Sequence, residues 1–143
     1  MNSIQRLMAA AAVFGGVMAS GMAAFAHGDV TPQQVDTTGL QPLGEKWREA
    51  NPYRDNAVAA KIGASGYAQN CARCHGIEAV SGGIAPDLRY LALGPDGDEW
   101  FLYRMENGSV REGRVYMPKF KGVLSQEALW AIRTYLESRH TNE

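Results

Sequence analysis

The chain has 143 residues, of which 14 are basic and 15 acidic, for a formal charge of −1 at neutral pH. That balance excludes the strongly basic face of a nucleic-acid binder or of a protein held to an anionic membrane. The length allows one domain around one core, and the chain carries no internal repeat and no low-complexity tract.

Arg6 is the only charge before Asp29. An apolar run from Leu7 to Met22 follows it, and Ala24-Phe25-Ala26 has the small-x-small form that signal peptidase cuts. The run is nearly long enough to span a bilayer, so an uncleaved anchor is the alternative. Its Ala/Gly richness favours cleavage after Ala26, which predicts an exported, periplasmic chain without stable membrane insertion. Cleavage would leave 117 of the 143 residues and remove one basic side chain, for a formal charge of −2.

Residues 27–56 carry Pro32, Pro42 and Pro52 with little periodicity, which predicts an extended arm with a short helical turn at Glu45–Ala50. From Asn56 to about Cys71, Val58, Ala59, Ile62, Gly63, Tyr67 and Cys71 follow helical spacing. Gly63 and Gly66 each weaken such a helix by about 1 kcal/mol relative to Ala; a close helix crossing at Gly63 would supply the reason. Asp87 can cap a short helix over Leu88–Leu93. Pro95-Asp96-Gly97-Asp98 reads as a turn, with Asp98 capping a helix that runs to Asn107 and stops at Gly108. Ser125 caps the last helix, whose Leu129, Ile132, Tyr135 and Leu136 form one apolar stripe. No strand is evident, so the expected class is all-α.

Cys71-Ala72-Arg73-Cys74-His75 spells C-x-x-C-H with the only two cysteines of the chain, the attachment signature of a c-type haem. Two thiols on one helical turn can each form a thioether to a haem vinyl group, and the next imidazole then reaches the iron. A zinc knuckle would need further ligands, and only the isolated His27 and His140 remain. A redox-active pair would want a βαβ context, and a plain disulfide leaves His75 unexplained. One motif means one haem.

The sixth position of the iron also needs a ligand. Met105 shares helical spacing with Phe101 and reads as core. Met117 lies in an expected loop after Gly113 and is followed by Pro118, which fixes the local backbone. Met117 is therefore the expected axial ligand, with Met105, His27, His140 or an open site as alternatives. Asp96, Asp98 and Glu99 look like half of a calcium loop but lack its spacing. Lys119 and Lys121 after Met117, with Arg111 and Arg114 before it, read as a solvated face, a docking patch or partners of the haem propionates.

Taken together, these residues resemble class I c-type cytochromes. Gly63, Tyr67 and Cys71 match the spacing of that family's first helix, and Ile132, Tyr135 and Leu136 the stripe on its last; those two helices cross in its fold. Pro86 in Gly83-Ile84-Ala85-Pro86-Asp87-Leu88 looks like the proline whose carbonyl accepts a hydrogen bond from the axial imidazole. Asn107-Gly108, Met117-Pro118 and Phe120 look like the run through its methionine loop. The resemblance covers about residues 57–139. With the export signal read over 1–26, the expected organisation is an N-terminal extension over 27–56 and a cytochrome c domain over 57–143. One covalent haem c would be held by Cys71, Cys74, His75 and Met117, with Pro86 behind His75.

A narrower resemblance lies in the arm. His27-Gly28-Asp29-Val30-Thr31-Pro32-Gln33, Val35-Asp36-Thr37-Thr38-Gly39-Leu40, and Trp47-Arg48 with Asn51-Pro52-Tyr53-Arg54 are similar to the extension of one subgroup. Its members accept electrons from periplasmic quinoprotein (pyrroloquinoline quinone) alcohol dehydrogenases. Alternatively, the arm only covers core surface with Leu43, Trp47 and Tyr53. The implied function is a monomeric one-electron carrier, not an enzyme, moving electrons from such a dehydrogenase toward a terminal oxidase or another cytochrome. A haem enzyme would want an open sixth site and a distal acid or base. A gas sensor would be five-coordinate with an output domain.

Overall fold

The structure of the protein, a computed structural model, describes residues 31–143. The expected signal peptide over 1–26 and the start of the arm, including His27, lie outside the described residues. The first helix, α1 (Ala57–Asn70), begins where Asn56 Oδ1 accepts from the backbone N–H of Val58 at 2.9 Å and of Ala59 at 3.0 Å. A bend at Cys71 leads into the single turn α2 (Ala72–His75). Then come two 3₁₀ turns (Ile77–Ala79 and Leu88–Tyr90) and α3 (Gly94–Asn107). A two-stranded antiparallel hairpin, β1 (Ser109–Arg111) and β2 (Arg114–Met117), precedes α4 (Gln126–Ser138). None of the described helices is long and apolar enough to cross a membrane.

The crossing expected at Gly63 is present. A Cβ placed on Gly63 would lie 1.9 Å from the Ala131 carbonyl oxygen and 2.4 Å from its carbon. The backbones of α1 and α4 therefore touch, and only glycine permits it. One turn on, the Tyr67 and Tyr135 rings meet at 5.3 Å. Ser125 caps α4 by accepting from the Ala128 N–H at 3.1 Å. Leu129, Ile132 and Leu136 of the predicted stripe are buried there with Trp130, against Phe101, Met105 and Phe120.

Three local expectations are corrected. Helix α3 starts four residues before Asp98: Leu93 is its N-cap, Pro95 sits in its first turn, and Asp98 lies inside it, fully buried. Proline is at home in a first turn, where its missing N–H has no partner to lose. Asp98 is drawn inward by Arg133 of α4, itself fully buried, whose Nε lies 2.8 Å from Asp98 Oδ1. The second correction is the hairpin, a β element in a chain read as having none. Its register pairs Val110 with Val115 and Arg111 with Arg114, and shifts between Ser109 and Val110.

The third correction concerns the arm, which forms no helical turn at Glu45–Ala50. Gln126 takes the polar groups that such a turn would use. Its Oε1 accepts from the Arg48 N–H at 3.2 Å, and its Nε2 donates to the Gly44 and Lys46 carbonyls. From Gln33 to Arg54 the arm is fastened in the same way. Gln33 exchanges hydrogen bonds with the Asn70 amide at 2.7 and 3.0 Å, and the Leu43 N–H donates to Glu127 Oε1 at 2.8 Å. Asn51 donates its N–H to Asp98 Oδ2 at 2.8 Å and its amide to Thr134 and Glu137, both at 3.0 Å. Arg54 bridges Asp98 at 2.7 Å and Glu137 at 3.0 Å. Leu43 and Tyr53 are buried and Trp47 packs against the core, so the described part of the arm covers core surface.

Candidate functional site

The turn after α1 places Cys71, Cys74 and His75 together. The N–H groups of Cys74 and His75 both donate to the Cys71 carbonyl, at 3.1 and 3.0 Å. His75 Nδ1 lies 2.8 Å from the Pro86 carbonyl oxygen. A carbonyl only accepts, so Nδ1 carries the hydrogen and Nε2 keeps its lone pair for a ligand role. The expected proximity of His75 and Pro86 is therefore present, eleven residues apart in sequence. Tyr67, read from the sequence as a packing residue, also serves this turn: its hydroxyl donates to the Gly76 carbonyl at 2.7 Å, directly after His75.

Cys71 and Cys74 form no disulfide with each other. Burial pushes the Cys71 thiol up to about 12, with Cys74 adding to the effect. Among the described residues no group of three or more His, Cys, Asp or Glu is arranged to hold a metal ion. Asp98, part of the half calcium loop, is taken up by Arg133 and Arg54.

The two methionines have different surroundings. Met105 is 5% exposed in the core, and its carbonyl accepts from the N–H groups of Phe120 and Lys121 at 2.8 and 2.9 Å. Met117 is half-buried at the core's edge, as are Cys71, Leu88, Leu91 and Leu102. It ends a strand instead of lying in a loop, opposite Ser109. Gly108 (φ +61°) allows this approach, since a Cβ there would come within 2.4 Å of the Met117 carbonyl oxygen. The register shift beside this pair is the kind of irregularity that re-aims a side chain at a site. His140 has contacts of its own: Nδ1 meets the Leu91 carbonyl and Nε2 the Asn142 amide oxygen, both at 3.1 Å.

The basic residues around Met117 divide as well. Lys121 is bound to Glu106 at 3.0 Å and lies over the Trp47 ring. Arg111 and Arg114 face each other across the exposed hairpin, with Arg111 over the Tyr116 ring. A cleft of about 400 Å³ beside Arg54, Asn56, Leu93 and Ser138 contains none of the donor residues.

Two thiols on one turn, an imidazole whose Nε2 keeps its lone pair and a thioether on an apolar edge fit a covalently held haem. Fold and donor set together define a small helical haem protein. The family model described as cytochrome C oxidase, cbb3-type, subunit III matches residues 58–136. Cytochrome c550 of Pseudomonas aeruginosa is 64% identical over 124 residues, covering 84% of this chain and 86% of that one. Quinohemoprotein alcohol dehydrogenase ADH-IIG of Pseudomonas putida is 38% identical over 85 residues, 59% of this chain but 11% of that protein. A solved structure of ADHIIG from Pseudomonas putida HK5 superposes with a TM-score of 0.49 at 35% identity, over 70% of this chain and 14% of that one. The chain belongs to the cytochrome c family. It is a monohaem cytochrome c, an electron-transfer protein with covalently bound haem c.

Proposed function

We propose that this protein is a periplasmic one-electron carrier, reduced by a quinoprotein alcohol dehydrogenase and oxidised by a terminal oxidase or another cytochrome. Cys71 and Cys74 would hold the haem through thioethers, His75 and Met117 would bind its iron, and Pro86 orients His75. Residues 1–26 are the export signal, cleaved after Ala26; 27–56 form the extension and 57–143 the haem domain. The haem would supply the redox couple, and a thioether among its ligands would favour the ferrous state. The chain supplies the ligands and their fixed orientation. The observation that carries this reading is the His75 Nδ1–Pro86 hydrogen bond of 2.8 Å, which leaves Nε2 free to ligate iron. The dehydrogenase reading draws on the 38% identity to part of a quinohemoprotein alcohol dehydrogenase. In that protein the similar stretch shares one polypeptide with the enzyme.

Attachment is tested by denaturing the protein and extracting it with acidic organic solvent. Haem should remain with the wild-type chain, and Cys71→Ser with Cys74→Ser should abolish its retention. Haem that extracts freely from the wild type would end the thioether assignment.

The partner is tested by stopped-flow reduction with a purified quinoprotein alcohol dehydrogenase. A carrier must leave as readily as it arrives, so its interface should be small, under about 1,200 Å². Charge reversal at Arg111, Arg114 and Lys119 should slow reduction more at low salt than at high, because rim charges act on association rate. Reversal at Lys121, already bound to Glu106, should have a smaller effect. No reduction at any salt concentration would remove this partner and leave the carrier reading alone.

A further inference from the structure

Asp87 caps the short turn that follows it, accepting from the Arg89 N–H at 3.0 Å, but its carboxylate binds more than that. Oδ1 also accepts from Arg89 Nε at 3.0 Å, while Oδ2 accepts from Arg89 Nη2 at 2.9 Å and from the Ser81 N–H at 3.1 Å. Ser81 in turn donates its hydroxyl to the Ala85 carbonyl at 2.5 Å and accepts from the Gly83 N–H at 3.0 Å. The loop 81–87 is thus closed at its base by Asp87 and braced across its middle by Ser81. Its one-sided set of donors, the Arg89 guanidinium foremost, holds the Asp87 carboxyl well below the usual carboxylate range. The clasp therefore stays ionised at neutral pH.

Pro86 lies between the two braced residues. Its ring fixes φ, and its carbonyl belongs to the peptide plane shared with Asp87. Whatever holds Asp87 also holds the oxygen that meets His75 Nδ1 at 2.8 Å. We propose that Asp87 is a positioning residue for the haem iron: with Ser81 and Arg89 it fixes the Pro86 carbonyl, and through that carbonyl it sets the basicity of the His75 imidazole. This rests on His75 being the axial ligand. A firmly held acceptor on Nδ1–H makes the imidazole a stronger donor and favours ferric iron, so loosening it raises the reduction potential.

The test uses the haem-loaded protein and two readouts, the midpoint potential and the exchange rate of the His75 Nδ1 proton by NMR. Asp87→Ala should raise the potential and speed exchange about fivefold, the scale of weakening one hydrogen bond. Loss of a negative charge alone would also raise the potential, so Asp87→Ala/Arg89→Ala, which removes both charges, separates the two causes. Positioning predicts that the raised potential and fast exchange persist in that double variant. A potential back at the wild-type value with unchanged exchange overturns the proposal. Where Asp87→Ala does not yield folded protein, Ser81→Ala loosens the same loop without touching a charge. It should also speed exchange, and wild-type exchange there overturns the proposal. Failure of the underlying reading looks different: a wild-type His75 Nδ1 proton without a paramagnetic shift would mean that His75 does not bind iron.

Discussion

Replacing Met117 with Ala should abolish the weak near-infrared band of a thioether bound to ferric iron, open the reduced protein to carbon monoxide and lower the reduction potential. The direction follows from chemistry: the soft sulfur favours the ferrous state, and water or an empty position does not. Met105→Leu is the matched control. Met105 is 5% exposed and tied into the core, so this near volume-conserving swap should cost under about 1.5 kcal/mol and leave the band intact. The two side chains are the only methionines beyond Met22, which makes the comparison decisive. Loss of the band in Met105→Leu with its retention in Met117→Ala would reverse the assignment.

The largest effect on stability should come from Asp98→Ala. Asp98 and Arg133 are both fully buried and meet at 2.8 Å. Removing the carboxylate leaves the guanidinium with Glu137 at 3.2 Å and the Ala92 carbonyl at 2.7 Å. It also strips the acceptor from the Asn51 N–H and leaves Arg54 with Glu137 alone of its two carboxylate partners. Breaking one side of a buried ion pair typically costs about 3–5 kcal/mol, while replacing both partners with apolar groups is often neutral. Denaturant unfolding of the haem-loaded protein should show a loss of that order for Asp98→Ala, a large part of a domain's total of about 5–15 kcal/mol. Adding Arg133→Met should recover stability. A loss below about 1 kcal/mol for Asp98→Ala, within the range of an exposed pair, would mean that this cluster does not anchor the arm.

Asp98 also shows where sequence reasoning stops. An aspartate after Pro-Asp-Gly has every local mark of a helix cap. What overrides it is Arg133, 35 residues away, which no local pattern can reveal. Ser125 has the same local mark, no distant partner competes for it, and it caps as expected. Gly63 was legible because a glycine that weakens a helix needs a compensating contact. The hairpin was missed because its strands have only three and four residues. Its one signal was Glu112-Gly113 between valine-containing flanks, both with positive φ, as a tight hairpin turn demands. At the candidate site, Cys71, Cys74, His75, Pro86 and Met117 could be named from motif and resemblance. The Tyr67–Gly76 hydrogen bond and the Asp87–Ser81 clasp could not, because they depend on how the chain turns back on itself.

The contact of Gly63 with Ala131 has a consequence for the order in which the protein forms. A ribosome makes the chain from its N-terminal end, at about 5–20 residues per second. Helix α1 therefore emerges long before α4, and its glycine face has no partner until synthesis is almost complete. Closing so long a loop is also an entropic hurdle that a local contact does not face. Cys71 lies one residue past the end of α1. The pairing of α1 with α4, on which the position of the C-x-x-C-H turn depends, is thus a late step that needs nearly the whole chain.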